Sequence, residues 1–285
     1  MKLYGITTTY NVGPIIPYVM KYIKELGYDK FIVYDNESTD NTVELLKQYP
    51  FIEVRTYHTD HYNEIDRIAT IQDCVLSFPI NDSPVWVTVT DFDEVLYYAK
   101  QDKDTLKDYL VRLGNHGYNV CTEHMVNLIG EKDCWQYDEN VFLHQQIGKC
   151  AYCPPFDWNK PILFRLDNLR HVAHTVGHHY GYFEFYNEPT KQFFNSKHLH
   201  VFHLKYAFGK EYLLKTAHDY NARKWVNLAD ETLEDYRQID DVNDDYEKTL
   251  INSVGTQLYL ELKMLNGDDS YEHDDELVRC HYFST

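Results

Sequence analysis

Apolar and polar positions switch between two periods through the first third of the chain. Leu3–Thr9 is rich in β-formers and reads as a strand. Gly13-Pro14 follows. Ile15–Leu26 then repeats its apolar positions at helical spacing and stops at Gly27, a C-terminal helix signal. Lys30–Tyr34 is a second strand, closed by the polar turn Asp35–Asp40. Thr42–Gln48 reads as a helix with Asp40 as its N-cap. Phe51–Arg55 is a third strand, Glu64–Phe78 a helix and Val85–Thr90 a fourth strand with an almost unbroken apolar run. This β-α-β-α-β-α-β order predicts an α/β fold with a mostly parallel sheet and helices on its faces.

The pattern loosens after residue 98. Asp104–Leu113 predicts a helix and Tyr118–Thr122 an extended segment, while Glu131–Trp158 fits neither period. Pro161–Arg165 and His198–Leu204 read as strands. From Phe208 onward helices are predicted over Lys210–Ala229, Thr232–Arg237 and Tyr246–Leu265, with an acidic tail at Gly267–Glu276. The expected organisation is one catalytic domain over residues 1–207, in halves 1–98 and 99–207, followed by a helical extension over 208–285.

Composition narrows the function classes. The 285 residues carry a formal net charge of -18, which disfavours nonspecific binding to nucleic acid or to an anionic membrane. No stretch reaches the 18 apolar residues of a membrane span, and Met1–Gly5 leads straight into a strand rather than a signal peptide. Six cysteines are too few for a disulfide scaffold, so thiols in a reducing, cytoplasmic setting are expected. Tyrosine is abundant, 26 residues, and its apolar face with a polar tip suits sugar and nucleotide pockets as well as cores.

Three segments carry candidate chemistry at predicted strand ends, where open α/β sheets place their ligands. The fourth strand runs into Asp91-Phe92-Asp93-Glu94. Carboxylates this close repel unless a cation joins them, and their oxygens suit a hard divalent ion that in turn holds a phosphate. After the second strand, Asp35 can accept hydrogen bonds from a ribose hydroxyl or a base N–H, while Ser38 and Asp40 shape the turn. After the first strand, Thr8-Thr9-Tyr10-Asn11 can either touch a nucleoside or cap the next helix.

Taken in order, the Tyr10-Asn11 pair, Asp35-Asn-x-Ser-x-Asp-x-Thr, the helix bearing Arg67 and Gln72, and Trp86 with Asp91-x-Asp93-Glu94 resemble the GT-A glycosyltransferases. The likeness is greatest to the family 2 and family 92-like branch. It is strong over residues 3–98, thinner over 160–206 and not visible after about 210. The resemblance implies a nucleotide-sugar donor, UDP-linked by family habit, and a glycan or glycolipid acceptor. It places Thr8, Tyr10, Asn11 and Asp35 at the nucleoside and Arg67 near the base or diphosphate. Asp91 would face ribose and metal, Phe92 would line the same site, and Asp93 would bind Mn²⁺ or Mg²⁺. Val12 departs from the acidic residue that many relatives carry after the Asn.

The second half is rich in histidine. His171, His174, His178 and His179 cluster in sequence, and alternation along an apparent strand predicts a shared face for His198, His200 and His203. Lys160–Arg165, Gly177-His178 and His203-Leu-Lys205-Tyr206 resemble later motifs of the same branch. By that resemblance His203 is the further metal ligand and Lys205 meets the diphosphate. A competing structural zinc site would use Cys150-x-x-Cys153. An inverting transfer also needs a carboxylate base; Glu184, then Asp157, sit in aromatic runs that would raise a carboxyl pKa, with Glu188 a third choice. Two other readings remain open at this point: an aspartyl-phosphate-type phosphatase, and a degenerate transferase that only binds glycans.

Overall fold

The structure is a computed structural model. It describes residues 1–59, 64–79, 84–99, 104–130, 132–147, 150–152, 159–167, 169–174, 181–186, 193–195, 198–209, 212 and 215–216. The strands are β1 (Lys2–Thr9), β2 (Lys30–Asp35), β3 (Ile52–Thr56), β4 (Val85–Val89), β5 (Glu94–Tyr98), β6 (Val120–Leu128), β7 (Cys150–Tyr152), β8 (Asn159–Arg165), β9 (Leu169–His174), β10 (Gly181–Phe185), β11 (Phe193–Asn195) and β12 (Leu199–His203). The helices are α1 (Ile16–Leu26), α2 (Thr42–Leu46), α3 (Glu64–Ser77), α4 (Leu106–Asn115) and α5 (Leu143–Gln146).

Two compact units emerge. The first is drawn from Met1–His58, Ile65–Met125 and Pro155–Phe202, the second from Thr59–Glu64, Val126–Pro154 and His203–Thr285. In the first unit the strand order begins β3-β2-β1-β4, all parallel, as the strand-helix alternation predicts. Beyond β4 the sheet turns antiparallel, through β8 against β4 and β6 against β8. β12 and then β5 complete the order. β9 and β10 form a separate antiparallel pair. In the second unit Val126–Leu128 pairs antiparallel with β7. No helix among the described residues is long and apolar enough to cross a membrane.

The β1–β4 half is the best packed part. β4 is buried at every position and Trp86 is among the largest fully enclosed side chains. Ile6, Ile32, Val87, Val89, Ile71 of α3 and Phe164 of β8 belong to one apolar cluster. Burying each aliphatic or aromatic side chain contributes about 1.5–3 kcal/mol, so this cluster holds the sheet edge rigid beneath the loops that follow it. Gly27 closes α1 with φ 72°, a left-handed turn that glycine adopts without steric cost.

Several local expectations shift. Asp35 is the last residue of β2, not the first of a turn. α2 is shorter than predicted, and its N-cap position falls at Asn41, whose side chain makes no capping bond. Asp40 still binds the helix start, its Oδ1 accepting from Thr42 N at 3.0 Å. β5 follows at once from the Asp91 turn, where periodicity gave no strand. The shared face for the three histidines does not hold: with period two, His200 pairs with Phe202, their rings stacked at 6.2 Å, and His203 falls on the other parity. The predicted helices beyond residue 216 and the acidic tail lie outside the described residues.

Candidate functional site

At the C-terminal ends of β1 and β2, Thr9 and Asp35 are register partners. Both are buried, at 5% and 4% exposure. The backbone around Asp35 is fixed on both sides: Asn36 N donates to Thr9 O at 2.8 Å, and Tyr57 N donates to Asp35 O at 2.8 Å. Ser38 N donates to Asp35 Oδ2 at 3.0 Å. Asp35 Oδ1 and Thr9 Oγ1 have no hydrogen-bond partner. A buried carboxylate oxygen and a buried hydroxyl left unsatisfied side by side are costly in isolation, and each such group calls for an explanation such as a bound ligand.

The loops that follow are laced to one another. Asn11 N donates to Ser38 Oγ at 2.9 Å, Val12 N to Thr42 Oγ1 at 2.9 Å and Gly13 N to Asp40 Oδ2 at 3.1 Å. The Asn11 amide oxygen accepts from Thr39 N at 2.8 Å and from Asp40 N at 3.3 Å. Ser38 and Asp40 therefore shape the turn, as their residue types predict. Asn11 spends its side-chain oxygen on the same loop.

The second element is the turn after β4. Glu94 N donates to Asp91 O at 3.0 Å, and Asp91 N leans on Glu94 Oε2 at 3.4 Å. Glu94 is buried and closes the turn, while Asp91 and Asp93 remain half-buried. Arg67, in the first turns of α3, is almost fully enclosed with its side chain 3% exposed. Its Nη1 donates to Asp91 Oδ1 at 2.7 Å and to Thr8 Oγ1 at 3.3 Å. One guanidinium thus joins the ends of β1 and β4. A buried arginine needs such a partner, because an unpaired charge there is strongly destabilising.

The structure brings together Thr8, Arg67 and Asp91 by contact, and Thr9 with Asp35 by register. Thr9 is the residue that sequence reasoning passed over in favour of Thr8. The available signal was parity: counting back along β1, Thr7 and Thr9 are the buried positions. Tyr10 is half-buried beside this edge, whereas Phe92 is buried at 5% exposure.

His203 lies in the second unit. Its Nδ1 is 2.8 Å from Oδ1 of the buried Asn127, and its ring meets Tyr206 edge-on at 5.6 Å. Lys205 is half-buried, its Nζ 5.6 Å from the centre of the Tyr206 ring. Glu184 is a residue of β10 registered with His171, immediately before a register shift. Asp157, Glu188, His178, His179 and Cys153 lie outside the described residues.

Among the described residues no group of three metal-ligating side chains stands together. The donor chemistry at Asp91 and Asp93 nonetheless fits Mg²⁺ or Mn²⁺. Such hard ions are commonly held by one or two carboxylates, with substrate phosphates and water completing the shell.

The sequence model of glycosyltransferase family 92 matches residues 14–250. The match continues past residue 210, where no likeness is visible by eye. No curated protein matches the chain. Among solved structures, TarS of S. aureus is similar at 15% identity, over 88% of this chain and 71% of that one, with a TM-score of 0.36. HddC of Yersinia pseudotuberculosis is similar at 9% identity, over 74% and 96% of the two chains, with a TM-score of 0.35. The 4-diphosphocytidyl-2C-methyl-D-erythritol synthase of Anaerococcus prevotii has 10% identity over 57% and 69%, with a TM-score of 0.29.

Proposed function

The chain belongs to glycosyltransferase family 92, and from that premise we propose that it moves a sugar from a UDP-linked donor to a hydroxyl of a glycan or glycolipid, with inversion at the anomeric carbon. The observation that carries the donor reading is the pair of unsatisfied buried groups, Asp35 Oδ1 and Thr9 Oγ1, at the end of the parallel strands. A carboxylate oxygen accepts and a hydroxyl donates, which together suit the polar edge of a nucleoside. Two parallel strand ends supply the groups, which agrees with where α/β sheets bind nucleotides.

In this reading Asp91 and Asp93 would hold Mn²⁺ or Mg²⁺. When bound, the ion neutralises charge growing on the departing nucleoside diphosphate. Arg67 keeps Asp91 in place from behind, and Glu94 fixes the backbone of the turn. Glu184, or failing it Asp157, takes the acceptor hydroxyl proton as that oxygen attacks.

A thermal-shift series with UDP, GDP and CMP, each with and without Mn²⁺, tests the donor reading, since a ligand selective for the folded state raises Tm. A Mn²⁺-dependent rise with UDP alone is the expected result. No shift with any nucleotide removes the proposal. Glu184→Gln should bind UDP as the unaltered protein does and lose transfer; normal transfer hands the role to Asp157.

A further inference from the structure

Among the described residues, Asn11 and Glu37 are the non-glycine positions with positive φ, at 52° and 57°. One follows β1 and the other follows β2, so the two left-handed residues sit in the two loops that are laced together. Asparagine tolerates this backbone region better than most residues, and non-glycine residues held there concentrate at functional sites. At Asn11 the left-handed turn lets one residue use both its backbone N–H and its amide oxygen toward the β2 loop. The N–H goes to Ser38 Oγ, and the oxygen accepts from Thr39 N and Asp40 N. Ser38 in turn donates its N–H to Asp35 Oδ2. The amide oxygen of Asn11 thus anchors the backbone of Thr39 and Asp40, the residues next to Ser38, and so holds the loop that carries Ser38 N to Asp35 Oδ2, while Oδ1 has no partner.

The two oxygens of a carboxylate are chemically equivalent until one is engaged. Engaging Oδ2 fixes the plane of the group and decides which oxygen is offered. We propose that Asn11 is a positioning residue: its amide oxygen, by anchoring Thr39 and Asp40, fixes the loop so that Ser38 N holds Asp35 with Oδ1 presented to the nucleoside, and it does not itself touch the ligand. The proposal rests on the nucleotide-donor reading above. It differs from the role that resemblance implies for Asn11, which is direct contact. Preorganisation of this kind accounts for a buried carboxylate oxygen that stays unsatisfied in the absence of ligand.

The test is UDP binding with Mn²⁺ by titration calorimetry on the full chain. Asn11→Gly keeps the left-handed backbone and removes the amide; Asn11→Asp restores an acceptor oxygen. Asn11→Gly should weaken UDP about tenfold, the value of roughly one hydrogen bond to a charged group, and Asn11→Asp should recover most of it. Ser38→Ala, which removes the acceptor of the Asn11 N–H and keeps Ser38 N on Asp35, should weaken UDP in the same direction, and serves if Asn11→Gly folds poorly. In an Asp35→Asn background, Asn11→Gly should cost nothing further, because coupled residues are non-additive. Additive losses would mean that Asn11 meets the ligand independently, and would overturn the relay, as would unchanged affinity in Asn11→Gly. Failure of the unaltered protein to bind UDP overturns the donor reading instead. The loop relay is then read from amide hydrogen exchange at Thr39 and Asp40, which Asn11→Gly should accelerate; unchanged exchange overturns it.

Discussion

The ends of β2 and β4 offer a carboxylate each, yet the two are held by opposite means. Asp35 is 4% exposed, tied by a backbone N–H on one oxygen, and its other oxygen is unsatisfied. Asp91 has a side chain 32% exposed and is tied by a buried guanidinium. A carboxylate fixed by neutral donors in a dry place suits a neutral hydrogen-bonding partner, such as a base or a ribose. A carboxylate beside solvent, with a second one two residues on, suits a cation and the phosphates it carries. The same residue type is therefore set to two tasks by burial and by the charge of its neighbour.

That contrast can be broken most severely at the Asp91 end. Asp91→Ala removes the 2.7 Å ion pair from the enclosed Arg67, so it should lose about 3 kcal/mol of stability by chemical denaturation. Asp93→Ala, at a half-buried position, should stay within about 0.5 kcal/mol. Both should abolish Mn²⁺-dependent UDP binding. Equal stabilities for the two variants would show that the Arg67 pair does not hold the turn.

A titration separates both ends from the rest of the sheet. Burial, then the nearby His198, pushes the His200 pKa down to about 4. A histidine lowered in the folded state contributes stability that is complete above its unfolded pKa, near 6.5. That contribution is lost as pH falls from there toward 4. The loss should reach about 3 kcal/mol. His200→Phe should flatten the decline between pH 6.5 and 4; an unchanged slope would move the acid sensitivity elsewhere.

At Asp35 no loss of fold stability is expected. Asp35→Asn removes a buried charge while keeping a carbonyl oxygen for Ser38 N. Stability should hold or rise by about 1 kcal/mol, while UDP affinity falls at least tenfold. A variant that is both destabilised and still binds UDP would make Asp35 structural, and the contrast between the two ends would collapse.

Much of the first half was legible because its signals are local. Strands buried on both faces write continuous apolar runs, as at Val85–Val89, and helices between them keep their own period. Gly27 announced its left-handed turn, and Ser38 and Asp40 announced theirs. Asp35 and Asp91 were legible as strand-end carboxylates. β5 was not, because Glu94–Tyr98 gains its strand geometry from pairing with β12 across about a hundred residues. The histidine alternation misled because a single offset of three residues, from His200 to His203, reverses the face.

Sequence alone determined the parallel strand-helix half and the residue types at its strand ends, and it carried the resemblance to the GT-A glycosyltransferases that the family 92 match over residues 14–250 made definite. Periodicity and turn chemistry are properties of neighbouring residues, so they survive without coordinates. Only the tertiary structure decided what each polar group is bonded to: Arg67 to Asp91, Asn11 to the Asp35 loop, Thr9 Oγ1 and Asp35 Oδ1 to nothing among the described residues. Those pairings join β1, β2, α3 and β4, which meet only when long-range packing closes the sheet. Hydrogen-bond geometry and burial exist only once it has closed.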